Sequence, residues 1–340
     1  MPPNRNHDPG KSVAKPVVAL CGGVGGVKLA LGLYHVLDPV DLFLILNTGD
    51  DFEHLGLHIS PDIDTVTYTL AGKNNLITGW GRRDETWTFM EALAELGGET
   101  WFSLGDGDLA IHMERTRRLL AGESLSQITE DFSRTLGISA HLLPMTDDLL
   151  RTIIETPEGA ISFQDYFVRR QSKPTIENIV FEGVDKAVPS AAAIDALKLP
   201  DLRAVVICPS NPFLSIDPIL AVDGFRQALI NCSAPVIAVS PIIGGQAVKG
   251  PTSKIMGEIS MPSTARAVSD YYGELLDGFV FDKADEAEAS SASLPSQVTQ
   301  TLMESFEDRK SLARDVLAFA DELNARLTKT CLVSRQQRKG

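Results

Sequence analysis

The residues of this chain with the clearest chemical potential are four aspartates that lie within 15 positions of one another. Asp50 and Asp51 end the segment 47–51, and Asp62 and Asp64 follow shortly after. Crowded carboxylates repel one another, and a hard cation such as Mg²⁺ relieves that repulsion. The spacing therefore predicts a Mg²⁺ site with Asp50, Asp62 and Asp64 as candidate ligands, the last two projecting similarly from an extended segment.

Two other interpretations of the same acids stay open. The segment around Asp62 can be a solvated turn in which Asp64 caps the helix that follows. Alternatively, one acid can bind a ribose, as an acid does in a Rossmann fold. Neither interpretation needs a metal ion.

A glycine-rich loop separates an apolar, β-branched segment from a helical pattern. Glycines in this context let the backbone approach a phosphate, and the helix N-terminus adds free amides and a partial positive charge. The loop matches neither the Walker A motif nor G-x-G-x-x-G, whose third glycine is replaced by a lysine. We predict phosphate or nucleotide binding here, with a ligand-free tight turn as the alternative. The candidate binding residues are Gly22, Gly23, Gly25, Gly26 and Lys28.

Two later loops also follow short apolar segments. Ser210 and Asn211 follow one such segment, and Gly244 and Lys249 follow the next. Because the carboxyl ends of parallel strands share one edge of a sheet, both loops should meet the glycine loop. Ser210 and Asn211 can hydrogen-bond to a base, ribose or phosphate, and Lys249 can neutralise a phosphate oxygen. The same residue types also occur in ligand-free turns.

The segment 79–87 combines aromatic, cationic and acidic side chains. Trp80 or Trp87 could stack on a planar heterocycle, and Arg82 could pair with a phosphate. The alternative is a helix start with Asp84 as its cap and Trp87 buried.

The turn 105–108, which is followed by His112, has two equally supported interpretations. It can contribute directly to a binding site, or it can be a polar turn that leads into a helix. The sequence contains no HExxH, no G-x-S-x-G and no convincing Ser-His-Asp or Cys-His set. Catalysis is therefore expected to use a metal ion and substrate positioning rather than a covalent nucleophile.

Short apolar segments alternate with helical patterns, which predicts an α/β protein with a doubly wound, mainly parallel Rossmann-like sheet. The middle of the chain instead predicts an inserted helical and small-sheet subdomain. Residues 284–295 are expected to form a solvated loop, and residues 296–328 terminal helices. The predicted boundaries are a flexible leader at 1–15, a nucleotide-binding core at 16–84 and 196–330, an insertion for substrate binding or dimerisation at 85–195, and a tail at 331–340.

Composition limits the classes of function open to the chain. Hydrophobic residues make up 44% of the 340 positions, an ordinary globular value. The 45 acidic and 31 basic residues give a net charge of −14, which repels nucleic acid phosphates. The 4 cysteines show no CxxC spacing, and no apolar segment resembles a signal peptide or a membrane helix. We expect a cytoplasmic protein that binds neither nucleic acid nor membranes.

The ordered motifs resemble those of the 2-phospho-L-lactate transferase family of coenzyme F(420) biosynthesis. No single motif is decisive, but the ordered set is specific. The matching segments are GGVGG at 22–26, NTGDD at 47–51, PDIDTVTYTLAG at 61–72, GWGRRDETW at 79–87, LGDGDLAIH at 104–112, PSNPFLSIDPIL at 209–220 and SPIIGGQAVKGP at 240–251.

This resemblance implies a transferase. Members of the family move a phospholactyl-type group from its guanosine diphosphate ester to the ribityl hydroxyl of the deazaflavin Fo, and GMP leaves. The three-carbon acid is lactate, enolpyruvate or glycerate, depending on the member. The family requires Mg²⁺ and its members are typically dimers, so we expect Mg²⁺ as the cofactor and a homodimer as the assembly.

The candidate residues suit that chemistry. Asp50 and an acid of the segment 61–65 would hold Mg²⁺ against the diphosphate, and the glycine-loop amides would share the charge of the leaving group. Asp51 could orient or deprotonate the attacking hydroxyl. Trp80 or Trp87 could line a deazaflavin pocket.

Two alternative functions stay open. One is a UDP-sugar-binding regulatory protein of the related superfamily, which would be a binding module rather than an enzyme. The other is an oxidoreductase with a variant Rossmann loop, which Lys28 disfavours.

Overall fold

The structure is a computed structural model that describes residues 15–337, with side chains over residues 15–326. Positions 1–14 of the expected leader and 338–340 of the expected tail lie outside the described residues. The strands are, in chain order, β1 (Val17–Cys21), β2 (Leu42–Leu46), β3 (Phe52–His54), β4 (Leu57–Ile59), β5 (His141–Pro144), β6 (Arg151–Thr156), β7 (Gly159–Ser162), β8 (Asn178–Glu182), β9 (Ala204–Ile207), β10 (Val236–Val239), β11 (Ile242–Ile243), β12 (Gln246–Ala247), β13 (Gly278–Asp282) and β14 (Ser296–Thr299).

The α-helices alternate with these strands, and short 3₁₀ and π-helical turns join some of them. The α-helices are α1 (Gly23–Val36), α2 (Pro61–Leu70), α3 (Thr88–Glu95), α4 (Asp108–Leu120), α5 (Leu125–Thr135), α6 (Ala191–Leu197), α7 (Asp217–Ala221), α8 (Phe225–Ile230), α9 (Thr252–Glu258), α10 (Ala265–Tyr272), α11 (Glu286–Ala289) and α12 (Phe306–Gln337).

A seven-stranded sheet forms the centre of the fold, in the order β14-β13-β10-β9-β1-β2-β5. Every neighbouring pair in it is parallel, which confirms the predicted doubly wound α/β class. The chain leaves β1 for β2 on one side and returns later through β9 on the other. Strand order therefore reverses between β1 and β9, which is where such sheets form a ligand-binding crevice at their carboxyl edge.

Alternating side chains of the buried strands pack into two separate hydrophobic cores, one on each face of the sheet. Val18 and Leu20 of β1 belong to one hydrophobic cluster, whereas Ala19 and Cys21 belong to the cluster on the opposite face. Strands that are covered on both faces need apolar residues at successive positions, which explains the continuous apolar segments of the sequence. The sheet is thus a rigid platform for the loops at its carboxyl edge.

The segment expected as an insertion contributes to two different sheets. Residues of β6, β7 and β8 form a separate antiparallel sheet in the order β7-β6-β8. In contrast, β5 joins the edge of the central sheet beside β2. The small sheet also contacts the loop 47–51, called the acidic loop below. The amide of Thr152 in β6 donates a hydrogen bond to the carbonyl of Gly49 in this loop at 2.8 Å.

The C-terminal part of the chain departs from the prediction in three places. The segment expected to be entirely helical begins with β14, which pairs with β13 at the sheet edge. Only Val298 of its four residues is apolar because the strand covers an edge, so it lacks the pattern of a central strand. A short helix, α11, forms within the expected loop from good helix-forming residues. The last helix, α12, continues to Gln337, into the segment 331–340 that the sequence assigned to a tail.

Candidate active site

A cavity of about 510 Å³ opens at the carboxyl edge of the sheet. The loops after β1, β2, β9 and β10 all contribute to its walls, as the strand order requires. Most of the residues predicted to form a site lie on this wall. They are Gly22, Gly23, Gly25, Lys28, Asp50, Asp62, Asp64, Trp80, Ser210, Asn211 and Lys249.

Close packing against neighbouring protein groups explains the glycines of the loop 22–26. A Cβ on Gly22 would lie 2.6 Å from Asp62 Oδ2, and a Cβ on Gly25 would collide with the carbonyl of Pro209. Gly26 does not line the cavity, and a Cβ there would collide with Ser210 Oγ. Gly23 has a φ of +62°, which other residues rarely adopt. These glycines therefore draw three loops together.

Asp62 joins the glycine loop to the acidic loop. Its Oδ1 accepts a hydrogen bond from the Gly23 amide at 2.7 Å, and its Oδ2 accepts one from Asn47 Nδ2 at 3.0 Å. Burial raises the pKa of Asp62 to about 6, although both hydrogen bonds oppose that rise. The carboxyl group is thus held in place but is costly to leave charged without a cation.

Asp50 and Asp51 are both buried but face different surroundings. Asp50 lines the cavity, and its Oδ1 has no hydrogen-bond partner. Burial raises the pKa of Asp50 well above its usual range, and the nearby charge of Asp62 adds to the effect. Asp51 does not line the cavity, and its Oδ2 accepts a hydrogen bond from Ser60 Oγ at 2.7 Å and lies 3.1 Å from His58 Nε2.

Asp64 points in another direction from Asp62. The two residues lie in the first turn of α2 rather than in the expected extended segment, and helical positions two apart face different sides. Asp64 accepts hydrogen bonds from both terminal nitrogens of Arg115, a residue of α4 that is only 1% exposed. His112 Nδ1 lies 3.6 Å from Asp64 Oδ2. The interpretation of this segment as a solvated turn capped by Asp64 is wrong, since Asp62 and Asp64 are both buried and Ser60 is the N-cap of α2. The ribose-binding interpretation is not tested by burial.

Two lysines supply positive charge to the cavity wall. Lys28 Nζ donates to the carbonyl of Met303 at 2.8 Å, and Lys249 Nζ donates to the carbonyl of Thr78 at 3.0 Å. Burial lowers the pKa of Lys28, and the charges of Arg309 and Lys249 lower it further. Both ammonium groups are bonded only to neutral carbonyls among the contacts of the described chain, so an anion would be a stronger partner.

The segment 79–87 contributes one aromatic ring to the cavity. Trp80 lines it, whereas Arg82 and Trp87 do not. Trp87 is 46% exposed rather than buried, and Asp84 does not cap the next helix. Asp106 caps this helix instead, because its carboxylate accepts hydrogen bonds from the amides of Thr88 and Phe89 at the start of α3.

The later loops meet the glycine loop as predicted, with one exception. Ser210 Oγ accepts a hydrogen bond from the Gly22 amide at 3.3 Å. Asn211 Oδ1 caps the π-helical turn Pro212–Ile216, while its Nδ2 is buried without a hydrogen-bond partner on the cavity wall. Gly244 lies outside the cavity, and its amide donates to Asp285.

An aromatic wall of the cavity was not predicted. It consists of Trp101, Phe102, Phe163 and Phe167, which come from the loop before α4 and from the segment after β7. The adjacent aromatic pair at 101–102 was a usable signal, since it directly precedes the Gly-Asp turn at 105–108. The other two rings reach the cavity only through the folding of the small sheet, which the local sequence does not reveal.

The oxygen donors of the acid cluster, which is Asp50, Asp62 and Asp64, fit Mg²⁺. No group of three or more His, Cys, Asp or Glu side chains within the described part of the chain is arranged as a metal cage. Mg²⁺ usually needs no such cage, because it takes one or two carboxylates and completes its shell with water and substrate phosphates. Asp50, with an unpartnered buried oxygen, and Asp62, with a raised pKa, meet that requirement. Asp64 is already neutralised by Arg115.

The fold and the position of the cavity place this protein in the doubly wound α/β class, with its site at the switch point. Residues 17–319 match the family described as 2-phospho-L-lactate transferase CofD. The chain therefore belongs to the 2-phospho-L-lactate transferase CofD family, and it is a transferase of the phospholactyl-transfer type in coenzyme F(420) biosynthesis. This membership confirms the resemblance found in the sequence and excludes a purely regulatory binding module.

Individual relatives span nearly the whole protein. A phosphoenolpyruvate transferase of Kitasatospora aureofaciens is 40% identical over 90% of this chain and 98% of its own length. A 2-phospho-L-lactate transferase of Methanopyrus kandleri is 39% identical over 90% of this chain and 98% of its own length. A crystal structure of a UPF0052 family protein from Bacillus halodurans covers 90% of this chain and 100% of its own, with a TM-score of 0.60 and 13% identity, which shows the shared fold.

No helix in the described part of the chain is long and apolar enough to cross a membrane.

Proposed function

We propose that the protein transfers a phospholactyl-type group from its guanosine diphosphate ester to the ribityl hydroxyl of the deazaflavin Fo, and that GMP leaves. The observation that carries this proposal is the composition of one cavity. It combines buried acids (Asp50, Asp62), lysines (Lys28, Lys249) and a helix N-terminus. A diphosphate ester needs all three, because its charge must be neutralised and held in a fixed orientation.

The diphosphate is proposed to lie against the start of α1. The amide of Gly23 is taken by Asp62, so the amides of Val24 and Gly25, in the first turn of the helix, are the ones offered to a phosphate. Lys28 and Lys249 lie on the same wall and would exchange their carbonyl partners for phosphate oxygens. The buried Nδ2 of Asn211 is a further donor for the nucleotide.

Mg²⁺ is proposed to bind at Asp50 and Asp62, where it would supply charge stabilisation for the departing GMP. Asp51 supports this site from behind. Its contacts with Ser60 and His58 fix the loop that carries Asp50, and the side chain of Gln164 donates to the Asp50 carbonyl at 3.2 Å.

The reaction is a displacement at the phosphorus of the phospholactyl-type group. A bond forms from the ribityl oxygen to this phosphorus, and the bond from it to the bridging oxygen of GMP breaks. Because Asp50 is assigned to Mg²⁺ and Asp51 does not line the cavity, the hydroxyl proton is proposed to pass to the phosphate of the departing GMP. The aromatic wall (Trp101, Phe102, Phe163 and Phe167), together with Trp80, suits the planar deazaflavin ring.

The identity of the three-carbon acid is left open among lactate, enolpyruvate and glycerate. The chain is almost equally similar to a phosphoenolpyruvate transferase and to a 2-phospho-L-lactate transferase, so similarity alone does not choose between them. The group on the donor is small, and its discrimination depends on a few cavity contacts.

Mass spectrometry of the product tests the proposal. The protein, Fo and Mg²⁺ would be incubated with each of the three guanosine diphosphate esters in turn. We expect one donor to give an Fo adduct carrying its phospho-acid, with one GMP released per adduct. If none of the three donors modified Fo, or if GMP appeared without an adduct, the proposal would be wrong.

Thermal shift separates the other nucleotide classes that the sequence left open. GDP, a UDP-sugar and NAD would each be added with and without Mg²⁺. A Mg²⁺-dependent rise in unfolding temperature with GDP alone is expected. A shift with NAD alone would instead favour the oxidoreductase.

We also propose a cytoplasmic homodimer. Four apolar side chains in the sequence between α2 and the end of α4 are strongly exposed, namely Leu76, Ile77, Leu96 and Leu120. Surfaces of this kind are typical of subunit contacts. Light scattering coupled to size-exclusion chromatography measures the mass, and a monomer at micromolar concentration would contradict this assembly.

A further inference from the structure

One carboxylate on the cavity wall takes no part in the contacts described above for Asp50, Asp62, Lys28 or Lys249. Asp108 is the first residue of α4, and its side chain is 18% exposed toward the cavity. Tyr68 donates a hydrogen bond from its hydroxyl to Asp108 Oδ1 at 2.6 Å. His112 Nε2 lies 3.3 Å from Asp108 Oδ2. A hydrogen bond from Tyr68 therefore holds one oxygen of this carboxylate, and the ring of His112 lies beside the other.

The groups that hold Asp108 are themselves fixed. His112 is 2% exposed and lies between the carboxylates of Asp108 and Asp64. Arg115 binds Asp64 through both terminal nitrogens and anchors α4 to α2. Although burial opposes it, the contacts with His112 and Tyr68 keep the pKa of Asp108 below its usual range. Asp108 is therefore a fixed anion at neutral pH.

A fixed anion in this place selects for a particular kind of ligand. It repels phosphate groups, but its remaining lone pairs accept hydrogen bonds, since a carboxylate has roughly four acceptor positions. Tyr68 and His112 occupy only part of that capacity. Asp108 also contacts the C-terminal half of α2, about 9 Å along the helix from Asp62 by its rise per residue. It is thus separated along α2 from Asp62 and from the proposed phosphate end of the cavity.

We propose that Asp108 binds the acceptor substrate by accepting hydrogen bonds from ribityl hydroxyls that do not react. This inference rests on the proposed function, because it assigns the polyol part of the acceptor to a residue. Tyr68 and His112 act as positioning residues that keep both oxygens of Asp108 in a single orientation.

Fo binding without donor tests this role, with the fluorescence of the deazaflavin as the readout. The variant is Asp108→Asn, which keeps the shape and one acceptor oxygen but loses the charge. The matched control is Asp106→Asn, two positions away in the same turn, where the carboxylate caps α3 outside the cavity. A second probe is the deazaflavin ring with a methyl group in place of the ribityl chain.

We expect Asp108→Asn to weaken the binding of Fo about tenfold, the effect of a charged hydrogen bond. Its affinity for the methyl analogue should equal that of the wild type, and the control should bind both probes normally. Unchanged Fo affinity in Asp108→Asn would overturn the inference, and so would an equal loss for both probes. In either case wild-type turnover of Fo would still support the proposed function, whereas a wild type that does not bind Fo would refute both.

Discussion

The amide of Gly23 donates a hydrogen bond to Asp62 Oδ1 at 2.7 Å, which ties the start of α1 to the start of α2. Through this bond Asp62 occupies the first amide of α1, which leaves the amides of Val24 and Gly25 for an anion at that helix terminus. Because this bond orients the carboxylate of Asp62, its other oxygen can accept a hydrogen bond from Asn47 Nδ2 in the acidic loop. One carboxylate thereby fixes the distance between the proposed phosphate site and the proposed metal site.

The packing of the glycine loop predicts a loss of stability for Gly25→Ala. The new methyl group would collide with the Pro209 carbonyl, and backbone cannot rotate away. We expect the free energy of unfolding to fall by about 2 kcal/mol, as in other overpacked sites. Urea unfolding measures it.

Gly257→Ala is the matched control for that variant. Gly257 lies in α9, is exposed and has open space around its Cβ position. Alanine is the better helix former by about 0.5–1 kcal/mol, so this variant should be slightly more stable than the wild type. Equal stability of the two alanine variants would refute the close approach of the glycine loop to Pro209.

Asp50→Asn should remove Mg²⁺-dependent turnover while the fold stays intact. The charge of Asp50 is buried beside Asp62, so its removal does not cost stability in the free protein. Loss of an electrostatic contribution to the transition state lowers kcat by about 10²-fold or more. Steady-state kinetics with a Mg²⁺ titration measure the effect, and thermal unfolding is the control. Turnover at the wild-type rate would eliminate Asp50 as a metal ligand.

Lys249→Met should weaken the binding of GDP. Its ammonium group donates a hydrogen bond to the Thr78 carbonyl, and the residue lines the cavity near the proposed phosphate site. Loss of one charged contact corresponds to an increase of about tenfold in Kd. Calorimetry at two salt concentrations would detect both the weaker binding and its smaller salt dependence. Lys198→Met, an exposed site outside the cavity, is the control, and an equal effect there would contradict a specific contact.

The raised pKa of Asp217 predicts that stability depends on pH, and this effect is independent of the candidate active site. Burial raises its pKa to about 6, against the hydrogen bond from Tyr271. The folded protein therefore binds this proton more tightly than the unfolded chain does, so stability is lost as pH rises from about 4 to about 6. The rise in pKa from 3.8 to about 6 sets an upper limit of about 3 kcal/mol on this loss.

Asp217→Asn removes the titrating group but keeps an acceptor for Tyr271. Its free energy of unfolding should lack that decrease when urea unfolding is compared at pH 4 and pH 7. If the variant lost stability over this interval as steeply as the wild type, another group would be responsible.

The fold was predictable because both faces of its central strands are buried. Strands such as β1 and β9 have continuous apolar sequences that end in glycine or proline turns. The edge strand β14 was missed because one covered side leaves it with an ordinary polar composition. The edge strand β5 was assigned to the insertion for another reason, since a strand of four residues carries little pattern.

The site was most predictable where loops follow strands of the central sheet. Asp50 follows β2, Ser210 follows β9 and Lys249 lies beyond β10, and these parallel strands end at one edge of the sheet. Arg115 was missed because its partner Asp64 lies 51 positions away, and nothing in a helical pattern marks a buried arginine. Asp64 was listed with Asp62 on an extended geometry that the helix α2 does not have.

Crystals grown with GDP and Mn²⁺ test the central claim most directly, since Mn²⁺ substitutes for Mg²⁺ and scatters X-rays anomalously. We predict an anomalous peak between Asp50 and Asp62, with the phosphates against the amides of Val24 and Gly25 and beside Lys249. Nucleotide bound at another part of the molecule, or a metal peak away from both aspartates, would contradict the account.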